Sequence, residues 1–396
     1  MNCKQRIGER IYWTSVNDRR KQLFENIWPL PNGVSYNSYL IRDEKCALMD
    51  TVESGSDRSY ADWVSESLDG RPLDYLIIHH MELDHSGEIE NLVQRYPDVK
   101  IVGNCKTFRV LEAYFGKRDN LIEVKDGDTL SLGYHNLKFV FTPWVHWPET
   151  MMTFDQTDGV LFSGDAFGMF GALDGGVYDD QTDFAFYEDE MRRYYSNIVG
   201  KYSVQVIRAL KKLEGLDIKM ICPDHGPVWR ENIGRIVGLY SDLSEQKTED
   251  GVLIVYGSMY GNSEFVAESI ARALADEGVR NIRIRDISKT HLSYLISETW
   301  NYKGIILGCP TYNVGLFPPM ENLVEVLKKQ KMKNHVLGTF TNYTWGGGAE
   351  KKFAEFAEAV KWETLPTTVD VMGLPGDEDF EKCRQMAREM AEALKK

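Results

Sequence analysis

The chain is predicted to be an α/β protein of two unlike halves, a strand-rich α/β sandwich followed by a doubly wound parallel sheet. Three observations predict it. Short apolar runs of strand character dominate the first half. From Gly251 onward, strand and helix alternate with regular spacing. Between the halves lies a polar run, 242–250, that carries neither apolar period and reads as a linker. The expected domains are residues 1–247 and 251–396.

In the first domain, strands are expected at 38–42, 46–50, 75–78, 100–103, 137–141, 159–162 and 219–222. Helices fall between them, for instance 86–96 and 203–213. In the second domain, a strand at 252–256 leads through a polar loop into a helix at 264–277. Strands at 281–285, 304–308 and 336–340 follow, with helices at 320–329 and from Ala349, then a last strand and helix. A sheet of this kind places any ligand at the carboxyl ends of its strands.

Composition narrows the function. A length of 396 residues supports two or three well-buried cores, and 43% apolar with 27% charged residues is ordinary for a soluble globular protein. No stretch approaches the roughly 18 apolar residues of a membrane span, and Met1-Asn2-Cys3-Lys4-Gln5-Arg6 has no apolar signal-peptide core. The cysteines at 3, 46, 105, 222, 309 and 383 form no Cys-x-x-Cys, so no disulfide framework, zinc ribbon or appended iron–sulfur module is expected. A reducing, cytoplasmic setting follows. The net charge of −14 sits almost wholly in the first domain: 28 basic against 41 acidic residues precede Gly251, and 18 against 19 follow. So acidic a half argues against nucleic acid as a partner and leaves a small neutral substrate open.

The most informative segment is His80-Met81-Glu82-Leu83-Asp84-His85, because four of its six side chains can hold metal. It follows an apolar strand, and His80, Glu82 and Asp84 alternate, so an extended backbone points all three one way. His85 faces elsewhere unless the chain turns, and Ser86-Gly87 supplies a turn. His146, Asp165 and His225 arrive later at similar strand ends. Seven ligands exceed one tetrahedral ion and suit two ions sharing a bridging carboxylate. Glu82, Asp84 and Asp165 supply −3 against +4, which leaves the centre cationic. His79 is expected to point away and serve structure, Trp144 and Trp147 to wall the pocket, and Tyr194 and Tyr195 to pack in the core.

In the second domain, Ser258, Met259, Tyr260, Gly261, Asn262 and Ser263 join the first strand to its helix. Two hydroxyls, an amide, a glycine and the free N–H groups of a helix start make a phosphate cradle without a lysine. Neither the Walker Gly-Lys-Ser/Thr nor Gly-x-Gly-x-x-Gly is present. Two more loops, with Pro310, Thr311, Tyr312, Asn313 and Gly315 in one and Tyr343, Thr344, Trp345, Gly346 and Gly347 in the other, bring aromatics and glycines where a flat ring can stack.

The order of metal ligands resembles the metallo-β-lactamase-like αββα fold, whose usual motif is His-x-His-x-Asp-His. Glu82 stands where that fold has its second histidine, and a carboxylate there hardens the site toward iron. The three loops of the second domain are similar to those of flavodoxin, which binds FMN, with Ser263 for the commoner threonine and Thr344 where glycine is frequent. Together the halves resemble the flavodiiron proteins, or A-type flavoproteins, the family of rubredoxin:oxygen oxidoreductases and nitric oxide reductases. The resemblance implies that His80, Glu82 and His146 bind one iron, Asp84, His85 and His225 the other, and that Asp165 bridges. In some members the histidine matching His85 swings away from the metal. It further implies reduction of dioxygen to water, of nitric oxide to nitrous oxide, or of both, in a head-to-tail homodimer or a tetramer of such dimers. Electrons would come from a rubredoxin-like carrier, for which the basic run 328–333 is either a docking surface or a solvated helix end. The rival readings are a zinc hydrolase of the metallo-β-lactamase class with an attached flavodoxin domain, and a non-catalytic electron carrier.

Overall fold

Residues 34–41 are apolar, aromatic or small and polar, and all are buried, as a strand covered on both faces requires. This strand, Val34–Arg42, lies inside a mixed sheet in a computed structural model that describes residues 4–396; Cys3 and the start of the chain lie outside the described residues. Two units divide between Ser244 and Glu245.

Among the described residues, unit 1 holds a seven-stranded and a five-stranded sheet. In the first, Val34–Arg42 pairs with Ile11–Asp18 and Cys46–Met49, after which Tyr75–Ile77, Lys100–Gly103 and Leu121–Glu123 continue in parallel. The second runs Thr129–Ser131, Asn136–Phe141, Met151–Asp155, Val160–Gly164 and Met220–Pro223. The sheets meet through Tyr39 and Phe162, whose ring centroids are 5.5 Å apart, and through Tyr39 Oη donating to the Pro223 carbonyl at 2.7 Å. On the other face of the first sheet, helix Tyr60–Leu68 packs with Tyr60 Oη 2.8 Å from Ser38 Oγ. This is the metallo-β-lactamase-like sandwich expected from the motif.

The expected helix at 86–96 is split into a turn, Leu83–Ser86, and a shorter helix, Ile89–Arg95. The polar run 242–250 is mostly structured, being the end of helix Ile233–Ser244 and the start of strand Glu249–Tyr256. Leu243 within it is buried and extends the helix, so only four residues connect the two elements.

Unit 2 is a parallel sheet in the order Ile282–Asp286, Glu249–Tyr256, Tyr302–Pro310, Val336–Tyr343, with Glu363–Thr364 and Val369–Met372 both pairing the last of these. Pro366 cannot donate to a ladder, and it interrupts this edge. The order reverses between Glu249–Tyr256 and Tyr302–Pro310, the switch point where a flavodoxin-like sheet opens a crevice at its carboxyl edge. Val252, Ile254, Ile306, Val266, Met386 and Met390 form the core between the sheet and helices Asn262–Asp276 and Asp377–Leu394. Among the described residues, no helix is long and apolar enough to cross a membrane.

Candidate metal centre and cofactor cleft

The predicted metal-binding side chains leave strand ends or the loops just after them. His80 follows Tyr75–Ile77, and His146 lies between Asn136–Phe141 and Met151–Asp155. Asp165 follows Val160–Gly164 and His225 the neighbouring Met220–Pro223. Pairing of those two strands slips between Phe162 and Gly164, and Gly164 takes φ +59°, which re-aims the next side chain as a bulge does. Asn37 clamps the His225 loop, its amide donating to the carbonyls of Pro223 (2.9 Å) and Gly226 (2.8 Å).

One expectation needs correction. His80, Glu82 and Asp84 do not share an extended register, because the chain coils at once into Leu83–Ser86. Ser86 Oγ donates back to the carbonyls of Met81 (3.0 Å) and Glu82 (2.9 Å), closing the turn earlier than Ser86-Gly87 suggests. This coil is what brings Asp84 and His85 together on the inside.

The seven side chains converge in two lobes about Asp165. Its Oδ2 lies 2.9 Å from His146 Nε2 and 3.3 Å from His80 Nε2, and Glu82 Oε2 is 2.9 Å from the same His146 nitrogen. Its Oδ1 lies 3.2 Å from His85 Nε2 and 3.6 Å from His225 Nε2, and Asp84 Oδ2 is 3.2 and 3.4 Å from those two nitrogens. Nε2 of His80 and His146, Oε2 of Glu82 and both oxygens of Asp84 and Asp165 are buried with no hydrogen-bond partner. Buried polar atoms are almost always satisfied, so this many orphans facing one another fit a pair of cations. The donor set of imidazole and carboxylate, without thiolate, suits iron.

Within the cluster the groups pull each other's pKa apart. Burial opposes charge on Asp165, yet His80 and His85 hold its carboxyl well below the usual range. Burial likewise opposes charge on His146, yet Asp165 and Glu82 push it up to about 9. Such mutual attraction is the same field that gathers metal ions.

The surroundings carry residues the motif reading did not assign. Met81 N donates to Glu149 Oε1 at 3.0 Å, which pins the ligand loop from behind. Glu25 reaches the pocket from the hairpin Leu23–Phe24 and Trp28–Pro29; Trp28 Nε1 donates to it at 3.0 Å, and burial together with Glu82 pushes its carboxyl up to about 7. Asp224 lies behind His85. Only Asp224, beside a histidine predicted to bind metal, gave any sequence signal. His79 points away, held by Asp50 and by Thr153 Oγ1 at 2.9 Å. Trp147 walls the pocket, 6.4 Å from the His80 ring, whereas Trp144 is exposed and stacks on Tyr202. Tyr195 bonds Ser203, as a core residue does, but Tyr194 is both core and site: its ring is 5.5 Å from that of His225, and its hydroxyl is buried without a partner.

At the switch point of unit 2 lies a cleft of about 420 Å³. Of the predicted residues, Ser258, Met259, Tyr260, Asn262, Ser263, Pro310, Thr311, Asn313, Tyr343, Thr344, Trp345, Gly346 and Gly347 line it. Gly261, Tyr312 and Gly315 do not. Gly261 takes φ +96° as the N-cap of helix Asn262–Asp276, its N–H bonded to Ser258 Oγ at 3.0 Å. Tyr312 and Gly315 exchange backbone hydrogen bonds (3.0 and 2.9 Å), so they form the base of the turn that presents Asn313 and Val314. Val314 and Asn342 line the cleft and were missed. Tyr260 and Trp345, 92% and 93% exposed at its edge, offer bare aromatic faces, and an isoalloxazine ring fits that provision.

Comparison with known proteins places both halves of the chain. Residues 34–226 match the family model described as ODP family beta lactamase, and residues 254–386 match that of flavodoxin. A curated relative, the nitric oxide reductase of Moorella thermoacetica, is 31% identical over 97% of this chain and 97% of its own. The solved rubredoxin oxygen:oxidoreductase from the anaerobe Desulfovibrio gigas superimposes with a TM-score of 0.95 at 31% identity, over 99% of this chain and 98% of that one. A flavo di-iron protein mutant from Thermotoga maritima gives a TM-score of 0.90 at 26% identity, over 99% and 98%. Two such halves in one chain and kinship along nearly the whole length leave one placement: the chain belongs to the flavodiiron family.

Proposed function

We propose that this protein reduces dioxygen to water, nitric oxide to nitrous oxide, or both, at a non-haem diiron centre re-reduced by FMN. The observation that carries the reading is the division of Asp165 between two groups of imidazoles, one on each carboxylate oxygen. In this assignment His80, Glu82 and His146 would hold one iron and Asp84, His85 and His225 the other, with Asp165 serving both. Bound there, two ferrous ions supply electrons and a Lewis-acidic seat for a small gas, and FMN supplies two electrons more.

The chain's own residues orient and enclose. Ser35 accepts from His225 Nδ1 through its carbonyl at 2.7 Å, which fixes the tautomer and aims Nε2 inward. Phe24 packs edge to face on His225, Tyr194 lies tilted beside it, and Phe170 packs edge to face on both Phe24 and Tyr194, so the three exclude bulk water from that side. Tyr194 keeps its phenolic proton, because burial and then Asp165 drive its pKa well above the usual range, so its hydroxyl stays a donor. In unit 2, the first N–H groups of helix Asn262–Asp276 and the hydroxyls of Ser258 and Ser263 would hold the FMN phosphate, and Tyr260 and Trp345 would hold the ring.

The apolar edge of the flavin cleft, with Tyr260, Val314 and Trp345 exposed, and exposed Leu83 and Trp144 beside the metal ligands suit partner contacts better than solvent. They support a head-to-tail homodimer, or a tetramer of such dimers, in which one protomer's flavin serves its partner's irons. An external carrier of the rubredoxin class supplies the electrons.

Iron- and FMN-replete protein, supplied anaerobically with a chemically reduced carrier, is expected to consume dioxygen, nitric oxide or both at an electrode. Consumption of neither gas by fully loaded protein would end the proposal. Two zinc ions with esterase activity would favour the hydrolase instead.

A further inference from the structure

The imidazoles of the centre are not supported alike. His225 Nδ1 has the Ser35 carbonyl at 2.7 Å, whereas His85 Nδ1 is buried with no hydrogen-bond partner. Facing it at 3.6 Å is Asp224 Oδ2, which is also buried without a partner. Each is the natural complement of the other: a neutral imidazole that coordinates through Nε2 keeps its proton on Nδ1, and a carboxylate accepts it. The separation is a few tenths of an ångström beyond a hydrogen bond, so a small rotation of either side chain satisfies both.

Other partners are taken. Asp50, which clusters with His79 and Asp224, is occupied by the His79 ring and by His79 N at 2.8 Å. The backbone of Asp224 is fixed between the two sheets, its N–H donating to the Gly164 carbonyl (2.9 Å) and its carbonyl accepting from Asn37 N (2.7 Å). Its side chain therefore starts from a fixed point behind the ring and closes the gap by rotation alone. Along this segment Asp224 and His225 serve opposite sides of one ring: His225 Nε2 lies 3.0 Å from His85 Nε2 at the front, and Asp224 stands at the back.

We infer that Asp224 is a positioning residue that holds His85 in its metal-facing orientation, its Oδ2 accepting from His85 Nδ1. The inference rests on the diiron reading and deepens it. A carboxylate behind the ring locks the tautomer, raises the basicity of Nε2 and opposes the swing that would take His85 off the second iron.

The test is anaerobic ferrous-iron titration of metal-depleted full-length protein, read by iron per protomer and by Mössbauer spectra, for wild type, Asp224→Ala, His85→Ala and the double variant. Asp224→Ala is expected to weaken one of the two irons by roughly 10–100-fold and to alter the quadrupole doublet of that iron alone. The double variant is expected to be no worse than His85→Ala, because Asp224 acts only through that ring. Asp224→Asn, whose amide oxygen accepts the same proton, is expected to recover most of the loss. Asp224→Ser removes the carboxylate with a smaller void and takes the place of the alanine variant should that one not fold. Two full-strength irons with unchanged spectra in the truncated variant, or a double variant at least tenfold weaker than His85→Ala, would overturn the inference while leaving the diiron reading standing. Wild type that takes up no iron would overturn that reading, and this inference with it.

Discussion

Asp165 Oδ2 stands 2.9 Å from His146 Nε2, while the other oxygen of the same carboxylate stands 3.2 Å from His85. A carboxylate divided in this way would couple two metal positions. Asp165→Ala is expected to lose both irons, by more than the roughly 10–100-fold typical of losing a supporting partner. FMN content should not change, because the flavin cleft is lined wholly by residues of unit 2. Iron and flavin per protomer after anaerobic gel filtration give the answer. A variant that keeps one iron at full strength would contradict a bridging role.

Glu82 makes the centre harder than a set with histidine in its place. Its Oε2 lies 2.9 Å from His146 Nε2, inside the lobe of His80. Glu82→His removes one of three negative charges and adds a borderline-soft nitrogen, so the preference should move from iron toward zinc. Competition between the two metals during reconstitution, followed by elemental analysis, measures it. An unchanged metal ratio would mean that Glu82 does not set the choice.

The seven predicted metal-binding residues were legible because metal chemistry restricts donor types and an apolar strand announces each loop. The local path was less so. Ser86 turning back onto Met81 and Glu82 made a coil where alternation suggested a strand. Glu25 sits on a hairpin with two-residue strands, which resembles any polar surface turn. Helix Leu292–Asn301 hid because its serine, threonine and aromatic content is poor in helix formers, and packing of Leu295, Ile296 and Trp300 decides it. Val314 lines the cleft at φ +63°, a conformation that no rule assigns to a β-branched residue; the backbone pair between Tyr312 and Gly315 imposes it.

Trp345 offers an indole that is 93% exposed and lines the cleft, so a stacked cofactor is the partner that explains it. Trp345→Ala removes one wall while leaving the phosphate cradle around Ser258 and Ser263. FMN affinity is expected to fall about tenfold, or about 1.4 kcal/mol, as for one lost aromatic contact. Fluorescence titration of deflavinated protein reads it. An equal loss with phosphate-free riboflavin as the ligand is part of the expectation, since the phosphate is held elsewhere. Unaltered FMN affinity would show that the indole does not cover the ring.

The basic run 328–333 is at the wrong end for electron entry. Helix Pro318–Gln330 ends there, Lys331 caps it at φ +56°, and the strand that follows, Val336–Tyr343, must be crossed before the cleft is reached. Eight residues at about 3.3 Å each put the run roughly 25 Å from the flavin loops. Lysines at a helix end are explained by the helix dipole and by solvation. Lys331→Glu with Lys333→Glu should therefore leave stopped-flow reduction of FMN by a reduced rubredoxin within about twofold at low salt, where steering is strongest. A tenfold fall would restore the run as a docking surface.

His335 gives unit 2 a pH dependence of known sign. Its ring is buried against Trp362, with centroids 4.5 Å apart, and Nδ1 donates to the Tyr302 carbonyl at 2.9 Å. Burial lowers its pKa from 6.5 to about 4. The unfolded chain therefore binds a proton between those values that the folded chain refuses. Stability from this group is fully present above about pH 6.5 and is lost as pH falls toward about 4, with a limiting slope of about 1.4 kcal/mol per pH unit. Carboxylates titrate in the same window, so the difference between wild type and His335→Phe isolates the imidazole. Urea unfolding of the flavin-loaded protein, followed by flavin fluorescence from about pH 7 to about pH 4.5, is expected to show the two stabilities converging as pH falls, because only wild type carries the buried neutral histidine. Curves that stay parallel across that range would mean that His335 takes up its proton as readily in the folded protein as in the unfolded chain, so that burial does not hold it neutral.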